Sequence, residues 1–141
     1  MRDATLLELL RYKTWATLSL IQHRQKLDEQ QLDATTPGTY GTIRDTLRHL
    51  VISDEDDLSF LTGEPFSPLP PDVPIELDEL AERMRRVGRQ WEDLMSDSSL
   101  GEREATASDG YRIPGWVPLA QAIHHADDHR TTSCRYSAPA V

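Results

Sequence analysis

Between Gly115 and Arg130 the chain reads GWVPLAQAIHHADDHR and holds three of its five histidines. His125 and His129 stand four residues apart, so on an α-helix both imidazoles lie on one face, about one turn from each other. Two rings so placed can bind one metal ion when a third ligand arrives from elsewhere in the fold. His124 turns roughly 100° away from His125 on the same helix and stands outside that pair. Leu119 and Ile123 mark the core side of the helix. Ala122 and Ala126 fall between that side and the two histidines, which leaves room at the core edge for an ion and a ligand. The plainer alternative is a pair of half-buried histidines on a solvated helix face.

A candidate third ligand is His49. Ile43, Leu47, Leu50, Val51, Leu58 and Leu61 form an apolar helical stripe, and His49 sits on its flank. Facing helices can carry it to the pair. Three neutral imidazoles with open positions suit zinc, nickel, iron or manganese, with water completing the shell. Two other metal patterns fail. A zincin needs a glutamate directly after the first histidine, where this chain has Ala126. A ferritin-like di-iron bundle needs two Glu-x-x-His motifs, and the sequence contains none. In the acidic run Asp54-Glu55-Asp56-Asp57, Asp54 falls near the centre of the apolar stripe, where a carboxylate needs a partner. It can support a metal-binding histidine or anchor a neighbouring helix, and the anchoring role is favoured. Ser53 and Asp56 share the face of His49 and are candidates to hold its ring.

These residues need helices to position them. Leu6, Leu7, Leu9, Leu10, Trp15, Leu18, Leu20, Ile21 and Leu27 recur at helical spacing from about Asp3, a plausible N-cap, to Gln30. Pro37-Gly38 and Gly41 punctuate the break that follows. Thr42 with Asp45 forms an acidic variant of the capping box that opens a second helix, which Gly63 and Pro65 end. Five of the nine prolines fall between Pro65 and Pro74, a stiff connection long enough for a crossover. A third helix is predicted over Ile75–Met95, with acidic residues at its positive end. Asp109-Gly110 signals a turn between short strands at Arg103–Ala107 and Tyr111–Ile113. The fourth helix opens near Trp116, with Pro118 in its first turn, and its apolar pattern stops after Arg130. The fold class is therefore all-α: four helices around one core, with a small hairpin inserted before the last.

At 141 residues the chain is read as one domain, 1–141, able to bury a core without staples. A formal net charge of −9 argues against nucleic acid and anionic membranes as partners. No stretch has the apolar length of a membrane span. The opening MRDATLLELLRYK lacks a small-residue cleavage site and is not read as a signal peptide. The single cysteine, Cys134, excludes an internal disulfide, so the expected location is cytoplasmic.

Three segments in order resemble a known family: Leu9-Leu10-Arg11-Tyr12-Lys13-Thr14-Trp15-Ala16, Leu47-Arg48-His49-Leu50 with Asp54 following, and His125-x-x-x-His129-Arg130. Together they are similar to the DinB/YfiT-like metalloenzymes, over most of the chain up to Arg130. The resemblance implies an up-down-down-up four-helix bundle, a tri-histidine metal site of His49, His125 and His129, and frequent homodimers. It also implies a small-molecule substrate and, in characterised relatives, S-transfer or isomerisation with low-molecular-weight thiols such as bacillithiol or mycothiol. The expected activity is a metal-dependent thiol S-transferase, with zinc or nickel ahead of iron or manganese. The alternatives are a metal-dependent hydrolase and a non-catalytic metal- or ligand-binding bundle. Family members usually continue the last helix with apolar residues, whereas this chain continues Thr131-Thr132-Ser133-Cys134. On a continuing helix Cys134 lies roughly 140° from His129, away from the ligand face, and is read as a dispensable thiol.

Overall fold

Four long helices carry the chain: α1 (Ala4–Arg24), α3 (Ile43–Thr62), α4 (Leu77–Leu94) and α5 (Trp116–Cys134). A short α2 (Glu29–Leu32) follows α1, and a hairpin of β1 (Glu104–Thr106) and β2 (Arg112–Pro114) precedes α5. They belong to a computed structural model that describes residues 4–97, 99–106 and 109–134. Helix α1 packs against α4 and α5, and α3 packs against the same two. One apolar cluster runs through all four, including Leu10, Ile21, Leu47, Val51, Leu80, Met84, Trp91 and Leu119. Among the described residues no helix is long and apolar enough to cross a membrane.

The first expected helix is corrected. It stops at Arg24 rather than near Gln30, and α2 starts a new turn. Asp28 accepts from the Gln31 backbone N–H while the Gln31 side chain accepts from the Asp28 N–H, a full capping box. That box satisfies the free donors of a helix start and so favours a fresh turn over a continuing helix. The expected N-cap Asp3 lies outside the described residues. The buried face of α1 is Leu10, Lys13, Thr17, Ile21 and Arg24. Leu9 and Trp15, expected in the stripe, face outward, with Trp15 64% exposed.

The second expected helix, α3, begins at its Thr42–Asp45 capping box and ends at Gly63, whose φ of 72° is the left-handed turn a helix stop needs. Helix α4 starts two residues later than expected, and Ile75 is buried just ahead of it. Gly88 is the close-approach point of α4 with α1: a Cβ there would lie 2.5 Å from Thr14 Cγ2. The hairpin forms with Ala105 opposite Ile113. Of its expected residues, Ala107 lies outside the described residues. Helix α5 continues to Cys134, past the point where its apolar pattern stops. A polar tie holds that last turn, because buried Arg24 donates to the Ser133 carbonyl at 2.8 Å.

At the centre of the core stands a buried ion pair. Lys13 is 1% exposed and Asp54 5%. The Lys13 ammonium donates to both carboxylate oxygens of Asp54, and Trp91 Nε1 donates to Oδ1 at 2.9 Å. The ammonium also lies 5.0 Å from the centre of the Trp91 ring. Burial pushes Lys13 below the usual lysine range, and contact with Asp54 opposes that shift. Asp54 thus anchors a neighbouring helix. Removing one partner strands the other charge in the core, a loss of about 3–5 kcal/mol. We expect Asp54→Ala to lose stability on that order in chemical denaturation. A change under ~1 kcal/mol would mean that the pair is solvated in solution.

Candidate metal centre

The start of α3 sets the position of His49. Gly41 enters the capping box at a φ of 60°, and Thr46 Oγ1 donates to the Tyr40 carbonyl at 2.7 Å, drawing the preceding loop onto the helix. Tyr40 therefore stacks on the His49 ring with centroids 4.4 Å apart and meets His129 edge-on at 5.5 Å. From α5, His125 and His129 come up one turn apart, with ring centroids separated by 4.4 Å. Next to them Arg130 fastens α5 to α1, donating to Thr17 Oγ1 at 3.1 Å and the Lys13 carbonyl at 3.3 Å and pairing with Asp127.

The three histidines converge. One potential ligand atom from each lies within 4.8 Å of the others. Nε2 of His49 and Nε2 of His125 are 2.9 Å apart. Neighbouring ligands at about 2.0–2.1 Å from a shared ion stand roughly 3 Å from each other, so this spacing fits an ion between the rings. His129 Nδ1 is buried with no hydrogen-bond partner among the described residues. Ser53 Oγ lies 3.4 Å from His49 Nδ1, on the far side of the ring from Nε2, where a metal-bound imidazole is usually steadied.

The electrostatics agree. Burial first, then the neighbouring His125 and His129, pull His49 down to about 4. Burial, followed by His129, lowers His125, and burial lowers His129 against the opposing pull of Asp128. All three rings are thus held neutral, the form that binds metal. One turn beyond Ser53, the half-buried carboxyl of Asp57 is pushed up to about 7 by burial first and the Asp54 charge second.

His49, His125 and His129, expected from the sequence, come together, and exposed His124 stays outside the cluster. Ser53 takes the expected place beside His49, whereas the Asp56 carboxylate takes up the Ser59 hydroxyl of its own helix. Sequence reading did not find Tyr40. The only signal was an aromatic residue immediately before the Gly41-Thr42 helix start.

Three neutral imidazoles close enough to share one ion give a pH expectation. Protons compete with an ion only below a ring's own pKa, so depressed values extend metal binding to lower pH. Protein purified without a histidine tag should carry about one divalent ion per chain through ring nitrogens at about 2.0–2.2 Å. It should retain that ion below pH 6, where three ordinary imidazoles of pKa about 6.5 would be largely protonated. His125→Ala should lose it. Equal metal content in the two proteins, by elemental analysis, would overturn the assignment.

Comparison with curated proteins gives no match. The family model described as the DinB superfamily matches residues 12–132, a span that includes all three histidines and both members of the buried ion pair. With its helices, its histidine cluster and that match in agreement, the chain belongs to the DinB superfamily.

Proposed function

We propose that the chain is a single DinB-like domain over residues 1–141, its four long helices running up-down-down-up, with His49, His125 and His129 holding one divalent ion. The observation that carries this reading is the convergence of three neutral imidazoles from two helices. An all-imidazole donor set favours zinc or nickel over iron or manganese. We assign the domain to metal-dependent enzymes acting on small molecules, as a thiol S-transferase that takes a low-molecular-weight thiol and an electrophilic partner, in a cytoplasmic homodimer. His49, His125 and His129 would hold a divalent ion whose charge would lower the pKa of a nearby thiol, making thiolate available at neutral pH.

The chain's own residues do the positioning. Ser53 steadies the His49 ring from behind, and Tyr40 covers its face and limits water on that side. Arg130 holds α5 at the rotation that presents His125 and His129 toward α3. The nucleophile comes from outside the protein. Cys134 is exposed at the last described turn of α5, and its position five residues after His129 points it away from the ligand face.

A screen of several cellular thiols against small electrophiles, with and without chelator, tests this reading. The expected result is turnover that chelator removes and added zinc or nickel restores, unchanged in Cys134→Ser. Turnover that survives chelation would refute metal dependence, and hydrolysis of a small amide without thiol would assign the site to a hydrolase. If Cys134→Ser abolished turnover while the ion stayed bound, the sulfur would be the protein's own. Absence of turnover in metal-loaded protein would leave a non-catalytic metal-binding bundle.

A further inference from the structure

A cavity of about 370 Å³ opens beside His49, between the start of α3 and the proline-rich connection. Tyr40, Ile52 and Pro71 form its apolar walls, and Asp45 and Arg48 are its charged residues. The two charges are not equivalent. Asp45 is committed to the helix start: Oδ2 accepts from the Thr42 N–H at 2.9 Å, and the positive end of α3 offsets its charge. Arg48 has no carboxylate partner among the described residues. Nη1 donates to the Val73 carbonyl, and Nη2 donates to the Leu69 carbonyl at 2.9 Å and to the Pro70 carbonyl. Neutral carbonyls fix a guanidinium in place without cancelling its charge. In a chain of net charge −9, a cation held this way at the mouth of a cavity calls for an explanation.

We propose that this cavity is the organic-substrate pocket of the histidine site, and that it takes a small organic anion, a carboxylate on an aromatic or aliphatic body. The carboxylate faces Arg48, the body lies against Tyr40, Ile52 and Pro71, and the far end reaches His49. The inference rests on the metal-site reading only for what the molecule meets at His49. Three physical points support it. The volume lies within the range of small-molecule sites, which combine apolar walls with a few polar anchors. Three of the five Arg48 N–H donors are on loop carbonyls, which leaves Nε–H and one Nη1–H for a single charge-assisted contact to a carboxylate. The wall carrying Pro71 is stiffened by its prolines and clamped by Arg48 itself, so binding orders little that is not already ordered.

The test is calorimetry with three probes of matched shape, phenylacetate, phenethylamine and phenethyl alcohol, on zinc-loaded protein and on protein stripped with chelator. Phenylacetate should bind about tenfold or more tightly than the other two in both states, as one charge-assisted contact provides. Ile52→Trp and Pro71→Trp, which fill the cavity from opposite walls, should lose phenylacetate while keeping zinc. Arg48→Gln should keep zinc and lose the preference for the anion. Equal binding of all three probes, preference for the amine, no binding, or phenylacetate binding indifferent to both tryptophans would overturn the pocket. Binding that needs zinc and ignores Arg48→Gln would place the carboxylate on the ion and also overturn it. Should wild-type protein take up no zinc yet bind phenylacetate with the same Arg48 dependence, the pocket stands and the metal reading fails.

Discussion

Lys13 brings a full positive charge into the core and touches a residue of every other long helix. Its ammonium meets Asp54 of α3 and lies over the Trp91 ring of α4, and its carbonyl accepts from Arg130 of α5. Charges taken out of water are costly unless their partners are placed well. Here both carboxylate oxygens face the ammonium, and the Trp91 N–H takes up Oδ1 as well. Such a requirement admits one rotation of α1 about its axis. The neighbouring Thr14 shows how close α1 must come, since it meets α4 where Gly88 carries no side chain.

The histidine cluster inherits its geometry from that pair. Ser53 immediately precedes Asp54, so fixing Asp54 toward α1 fixes the turn of α3 that sets Ser53 behind His49. On the other side, Arg130 immediately follows His129 and is tied to the backbone of Lys13. Two histidine-bearing helices are therefore referenced to the same residue of α1, and three rings that disfavour protonation in the cluster are held together. One ring nitrogen there, His129 Nδ1, is buried without a hydrogen-bond partner among the described residues.

The opening of the site has a different construction. One wall comes from the loop before α3 and the other from the proline-rich connection, both without regular structure. Each is held by a residue of α3, Thr46 for the Tyr40 loop and Arg48 for the connection. The histidine cluster is thus carried by helices, while the cavity beside it is lined by α3 on one side and by loops clamped to that helix on the others.

How much of this was legible in the residues depends on the range of the interactions. The His125–His129 pair, the Thr42–Asp45 helix start, the Gly63 stop and the hairpin at Asp109-Gly110 are local, set by neighbours within one or two turns, and the sequence determined them. His49 was a candidate third ligand from its place on the flank of the α3 stripe, and the fold brought it to the pair. Nothing near Lys13 in the sequence marks it as buried, because its partner Asp54 is 41 positions away. Helix α1 has apolar residues on more than one side, so periodicity could not choose its inner face, and Leu9 and Trp15 turned out exposed. Tyr40 and Arg48 were invisible for a related reason. Each acts on a partner, the His49 ring or three loop carbonyls, whose nearness is created by a turn or a connection rather than by a helical period. Spacing along one helix is written in the chain, whereas the rotation of one helix against another is decided only when buried charges and close contacts must all be satisfied at once.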